Sequence, residues 1–131
     1  GVEAPSDDLY YTCVRCGLCL ESCPTYSLLN LETASPRGRI ALIRGVGDGK
    51  IGVDSPAFLE QMDLCLGCLA CQAVCPSGVD YGHLLEAGRA QARTIKEKNR
   101  LMEPWKQSRL RLKNGRGRHR SGIPLGPNAR F

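Results

Sequence analysis

A mainly α-helical fold, with cysteine-bearing loops between short helices, is what this sequence predicts. Three observations predict it. Apolar residues recur at helical spacing directly after Ser-Pro or Asp start signals. No convincing stretch alternates apolar and polar residues as a half-buried strand would. One four-cysteine phrase also occurs twice: Cys13 to Pro24 reads CVRCGLCLESCP and Cys65 to Pro76 reads CLGCLACQAVCP, an offset of 52 residues from 13 to 65.

The elements follow in order. Ser6, Asp7 and Asp8 cap a short helix leading into the first phrase, with acidic residues at its positive end. After Pro24, the apolar TYSLLNL is read as a helical turn or two. Ser35 at the cap and Pro36 at the first helical position open the next helix. Its inner face is Ile40, Ile43 and Val46, and Gly45, Gly47 and Gly49 end it. Ser55-Pro56 repeats the start signal, and Phe58, Leu59 and Met62 lead into the second phrase. Asp80 then caps a longer helix through about Glu103, with Leu84, Leu85, Gly88, Ala92, Ile95 and Met102 inside and Pro104 as the stop. The ending KNGRGRHRSGIPLGPNARF has almost no apolar content before Ile123 and reads as a flexible arm, or one that orders on a partner. The expected organisation is a helical domain over 1–103 and a basic, flexible tail over 104–131.

Large core anchors are scarce: the 131 residues include two Phe, four Tyr and one Trp. A small domain with a thin core needs a staple, and the eight cysteines are the obvious one. No run of about 18 apolar residues spans a membrane. The start, GVEAPSDDLYY, has neither the basic nor the apolar region of a secretory signal. A cytoplasmic setting is therefore expected, in which the cysteines are reduced metal ligands and not disulfides. The net charge of +5 hides two unlike parts. Residues 1–92 carry six Lys/Arg against eleven Asp/Glu, and residues 93–131 carry twelve against two. The basic end admits nucleic acid, an anionic membrane surface or an acidic partner subunit as its contact. It lacks interleaved aromatics and any nucleic-acid motif, which favours partner or membrane over nucleic acid.

Each phrase is C-x2-C-x2-C-x3-C-P, the run that holds [4Fe–4S] clusters in two-cluster bacterial ferredoxins. That identification is by motif; the spacing also has a physical reason. Three thiolates two residues apart let one tight loop wrap three corners of an iron–sulfur cube. The closing proline fixes φ and turns the chain away, so the fourth cysteine points off its own loop. Crossed ligation is expected: Cys13, Cys16 and Cys19 with Cys75 on one cluster, and Cys65, Cys68 and Cys71 with Cys23 on the other. Two neighbouring clusters suit one-electron transfer. Zinc remains an alternative, although it favours paired C-x2-C motifs, as does a cluster that only holds the fold.

Other residues carry expectations of their own. Gly17 and Gly67 either free backbone N–H groups to donate to sulfur or simply meet a positive φ. Val14, Leu18, Leu20, Leu66, Leu69 and Val74 are read as a shield that keeps water off the clusters. Arg37 and Arg39 sit at a helix start, where the dipole disfavours cations, so they either have a partner to meet or are plain solvated surface. His83 is read as packing or surface, and Tyr26 and Tyr81 as covers over the cysteine loops. No GxGxxG, P-loop or Ser/His/Asp pattern is present, so the chain is read as moving electrons without making or breaking substrate bonds.

Three stretches together, CVRCGLCLESCPTYSLL, SPRGRIALIRGV and CLGCLACQAVCPSGVDYGHLLEAGRAQ, resemble the N-terminal region of the glycolate oxidase iron–sulfur subunit family. The resemblance covers roughly residues 9–95. PRGRI, between the phrases, is more specific than the cysteines, which many ferredoxins share. The resemblance implies an alpha-helical ferredoxin domain with two [4Fe–4S] clusters. It also implies an FAD-containing dehydrogenase subunit that oxidises glycolate or a similar 2-hydroxy acid, and an onward path to quinone at the membrane. Lactate-utilisation proteins and the iron–sulfur subunit of anaerobic glycerol-3-phosphate dehydrogenase carry similar domains. Family members continue into two further domains with a CCG motif, which this sequence does not contain. A stand-alone ferredoxin serving another reductase, or a cluster-stabilised nucleic-acid-binding module, stand as other readings.

Overall fold

A computed structural model describes residues 7–115, with side chains from 8 to 102. The chain divides into two compact units, Gly1–Lys98 and Asn99–Phe131. The helices are α1 (Asp7–Tyr11), α2 (Pro24–Leu29), α3 (Pro36–Gly47), α4 (Pro56–Leu64), α5 (Ala70–Ala73) and α6 (Tyr81–Gly115), with a 3-10 turn at Glu32–Ala34 between α2 and α3. No strand occurs among the described residues, so the mainly helical class holds.

The start signals work as chemistry. The Ser35 hydroxyl oxygen accepts the Gly38 N–H at 3.0 Å and its proton goes to the Glu32 carbonyl at 2.7 Å. One serine thereby caps α3 and closes the turn before it. The Asp80 carboxylate accepts the His83 N–H at 3.2 Å at the head of α6. Ser55 precedes α4 without a side-chain cap bond, and Pro56 supplies the preset φ there.

Two expectations about helix ends need correction. Gly45 does not end α3 but lies buried within it against Ile51; Gly47 is its last residue and Gly49, at φ 68°, turns the chain beyond. Pro104 does not stop α6, which runs on to Gly115. A proline removes only one rung of the helix ladder, and the strong helix formers Leu101, Met102, Glu103, Lys106 and Gln107 surround it. The buried face of α6 is shorter than expected: Leu84, Leu85, Gly88 and Ala92 are buried and Ile95 half-buried, but Met102 is 49% exposed. Residues 116–131 of the expected tail lie outside the described residues.

The core of the first unit is small. Phe58 and Met62 from α4, Ile40 and Ile43 from α3, Tyr10 from α1, and Leu84, Leu85 and Ala92 from α6 form it, joined by Cys65, Cys71, Val79 and Tyr81. Helix α3 packs on α1, α4 and the 3-10 turn, and so stands between the segments that carry the two cysteine phrases. Close approach there requires Gly38: a Cβ at that position would overlap the carbonyl oxygen of Glu32.

Alanine inside a helix ordinarily gains about 0.5–1 kcal/mol over glycine. Gly38→Ala is expected to do the reverse and cost about 1–3 kcal/mol, because the backbone of the turn must move. The check is thermal unfolding of the cluster-loaded protein under anaerobic conditions. A fall of roughly 4–8 °C per kcal/mol is expected for a domain of this size; an unchanged or raised midpoint contradicts the packing.

Candidate metal centre

Each cysteine loop is bent by two residues in the left-handed region. In the first loop they are Arg15 (φ 58°) and Gly17 (φ 87°); in the second they are Gly67 (φ 68°) and Leu69 (φ 59°). These are the same two places in each phrase, the residues flanking the second cysteine. Gly17 and Gly67 are therefore not equivalents of one another: each phrase has glycine at one of the two places and a bulkier residue at the other. Left-handed backbone costs a non-glycine residue about 1–2 kcal/mol. Turns of this kind direct successive N–H groups into one concavity, as at many iron–sulfur sites.

The loops gather the eight cysteines into two sets. Cys13, Cys16, Cys19 and Cys75 line one cavity that opens to solvent, together with Arg15, Arg37 and Pro76. Cys65, Cys68, Cys71 and Cys23 line a second, together with Thr25, Arg39 and Tyr81. A third space, bordered by Cys13, Cys19, Cys71, Cys75, Ile40, Val79 and Tyr81, draws on both sets. The fourth cysteine of each phrase thus stands with the other phrase's first three. Among the described residues, no three His, Cys, Asp or Glu side chains converge closely enough to hold a single metal ion. A zinc site needs its sulfurs about 2.3 Å from one atom. Four cysteines that line one space suit a group with several metal atoms, each meeting one sulfur.

The surroundings of the two sets differ. At the second, Tyr81, only 3% exposed, has its hydroxyl 3.4 Å from Cys65 Sγ. Arg39, 1% exposed, donates to the Gln61 carbonyl at 3.0 Å, to Thr25 Oγ1 at 3.0 Å and to Cys23 Sγ at 3.9 Å. Thr25 Oγ1 is itself 3.2 Å from Cys23 Sγ. Arg89 donates to the carbonyls of Met62 and Cys65, fixing the entry to the second loop. At the first set, Arg37 donates to the Arg15 carbonyl at 3.2 Å and binds Glu32 through Nε at 2.5 Å and Nη2 at 3.1 Å. Of the two arginines in PRGRI, then, Arg37 has the acidic partner, and Arg39 is buried, against the solvated-surface reading.

Thiol acidities follow these environments. Burial pushes Cys71 up to about 12, with repulsion from Cys19, Cys65, Cys23 and Cys68 adding to it. Burial also raises Cys19, against the N–H bonds that lower it. At Cys23 burial acts upward too, but the Thr25 hydroxyl, the Tyr26 N–H and Arg39 outweigh it and leave the thiol below its usual value. Tyr81 is held well above the ordinary phenol range by burial and its bond to Cys65.

The expected apolar shield is not one. Val14 and Leu66 are each 68% exposed, and Leu18, Leu69 and Val74 are exposed as well, while Leu20 is half-buried. They stand beside the loop tips, where Cys16 and Cys68 are also exposed. With a cysteine at every third position turned to the cavity, residues between them are left to face outward. His83 is exposed and pairs with Asp80 at 3.4 Å, away from both sets. Tyr26 is half-buried and contributes its N–H to Cys23, whereas Tyr81 lies against the second set as a cover.

Residues 10–79 match the family described as the 4Fe-4S dicluster domain. The chain belongs to that family. The description of the family indicates two [4Fe–4S] clusters. The domain is similar to the "Probable glycolate oxidase iron-sulfur subunit" of Bacillus subtilis (strain 168), at 58% identity over 78 residues, or 59% of this chain and 17% of that protein. It is similar also to the "Glycolate oxidase iron-sulfur subunit" of Escherichia coli (strain K12), at 45% identity over 85 residues, or 64% of this chain and 20% of that protein. The matched part of this chain thus spans no more than about a fifth of either relative. No solved structure matches the chain.

The two left-handed places make opposite demands on substitution. Arg15→Gly is expected to leave the thermal stability of the cluster-loaded protein unchanged or higher. Gly17→Ala, two residues on, is expected to lower it by about 1–2 kcal/mol, since alanine must adopt φ near 87°. Equal effects of the two changes would contradict the loop geometry.

Proposed function

We propose that this dicluster domain is the electron-carrying part of an iron–sulfur subunit of a glycolate oxidase-type dehydrogenase. Cys13, Cys16, Cys19 and Cys75 hold one cluster in this reading, and Cys65, Cys68, Cys71 and Cys23 the other. The observation that supports it most is the gathering of each cysteine set, with one member borrowed from the other phrase, around two adjacent cavities. A bound [4Fe–4S] cluster takes up and releases one electron at a time. The chain's own residues hold the two clusters side by side, keep one edge of each loop at the surface through Cys16 and Cys68, and bury Cys23, Cys65 and Cys71. No helix among the described residues is long and apolar enough to cross a membrane.

The names of the relatives support a catalytic partner subunit; in this proposal that partner contains FAD, oxidises glycolate or a similar 2-hydroxy acid, and hands electrons to the first cluster it meets. The acceptor in this proposal is quinone-linked, and the domain works at the cytoplasmic face of the membrane. The exposed Val14, Leu18, Leu66 and Leu69 around the loop tips suit docking of a protein partner, because apolar side chains clustered at a surface are stabilised when covered. The helical unit of 1–103, with a basic extension after it, remains the proposed organisation.

Anaerobic purification tests the reading. About eight iron and eight inorganic sulfide per chain are expected from two cubane clusters. Addition of glycolate together with the flavoprotein subunit should bleach the visible absorption of the clusters, and omission of either should not. Two zinc and no sulfide per chain would overturn the proposal.

A further inference from the structure

Arg39 is a buried cation that lacks an anionic side chain. Its hydrogen-bond partners are a carbonyl, a hydroxyl and the sulfur of Cys23, and among the described residues it forms no salt bridge. An uncompensated buried charge is strongly disfavoured. The negative charge nearest to hand is that of the cysteine set to which Cys23 belongs. Tyr81 adds a second buried donor to the same set: with Cys65 bound to metal as thiolate, the phenol proton can only point from oxygen to sulfur.

Among the described residues, the cavity of the first set is lined by no buried cation or phenol; its sulfur of Cys19 receives backbone N–H bonds from Arg37 and Cys19 only. The two cations lining its cavity are Arg15, which is exposed, and Arg37, which is partly exposed and bonded twice to the Glu32 carboxylate. One is screened by solvent and the other is neutralised by its partner. Sequence position alone conceals the difference, since Arg37 and Arg39 are two residues apart on α3 and face opposite cysteine sets.

We infer that Arg39, seconded by Tyr81, makes the cluster held by Cys23, Cys65, Cys68 and Cys71 the stronger electron acceptor of the two. Reduction adds a negative charge. A buried guanidinium and a hydrogen bond to a ligand sulfur stabilise that charge more than they stabilise the oxidised form, and so raise the potential. Attraction in a poorly polarisable interior exceeds that of an exposed charge at the same distance. An electron delivered to either cluster then settles on the second, and the first becomes the relay. Arg39 and Tyr81 are positioning residues in this scheme; they touch ligand sulfurs and do not react. The inference rests on the ligand sets proposed above.

The test is a redox titration of the purified, cluster-loaded protein followed by electron paramagnetic resonance. Cys16→Ser and Cys68→Ser, each altering one ligand set, assign the two midpoints. The higher midpoint is expected to be the one altered in Cys68→Ser. Arg39→Gln should lower that midpoint so that, at the wild-type value, the ratio of reduced to oxidised cluster falls about tenfold, equal to 59 mV for a one-electron couple. The other midpoint should move far less, and Arg39→Lys should recover part of the loss. Tyr81→Phe should lower the same midpoint by a smaller amount. A higher midpoint assigned to the first set, or equal shifts of both midpoints in Arg39→Gln, would overturn the inference. If Arg39→Gln loses its second cluster, Tyr81→Phe decides: a shift confined to the second midpoint supports the inference and no shift overturns it. Iron and sulfide counts separate the two readings, because a wild-type protein without clusters refutes the ligand sets themselves.

Discussion

Each cysteine phrase supplies three sulfurs to one cavity and lends its fourth to the other, and the rest of the first unit is arranged to make that exchange possible. Cys23 has to leave the first loop and reach the second, 42 residues before Cys65 in the chain. The proline after it starts α2 at once, and the Thr25 hydroxyl and the 3-10 turn hold its sulfur in place. Cys75 makes the reverse journey on the short return between α5 and Pro76. Helix α3 is the post between the two sets. Its first turn presents Arg37 to one cavity and Arg39 to the other, while Ile40 and Ile43 below them reach the core. A serine cap and a glycine that touches the backbone of the turn fix where that helix begins.

The same exchange accounts for a core that would be thin for a domain built on burial alone. Phe58, Met62, Ile43 and Leu84 are its largest fully buried apolar side chains, and three cysteines complete the buried surface. Burial weakens the acidity of the Cys71 thiol and repulsion from the neighbouring cysteines adds to the effect, so this ligand tends to keep its proton. Metal binding must displace that proton, so loading the sites and folding the loops are coupled events. Backbone strain at Arg15 and Leu69 belongs to the same account. It is tolerated where N–H groups turned inward gain from a negatively charged guest.

Much of this was legible in the residues. The Ser35-Pro36 and Asp80 caps, the buried faces of α3 and α4, and the grouping of cysteines into loops follow from local chemistry that acts within a few residues. What escaped depends on direction or on balance between distant parts. Arg39 stands one turn before Ile43 on the inner stripe of α3, so a helical wheel would have placed it inside, but charge argued for solvent. Most of the apolar residues between the cysteines are exposed, because hydrophobicity alone does not decide which way a loop residue points. Pro104 reads as a stop in isolation, but it removes one rung only and the helix formers on either side carry α6 past it. The two glycines of the cysteine loops looked equivalent until their backbone angles put them two places apart in the phrase.

The exchange of the fourth cysteine is the central claim, and one spectroscopic comparison tests it most directly. Cys75→Ser should give the electron paramagnetic resonance spectrum of Cys16→Ser, because both would then alter the cluster of the first loop. If Cys75→Ser instead reproduces the spectrum of Cys68→Ser, each phrase keeps its own fourth cysteine and the account is wrong.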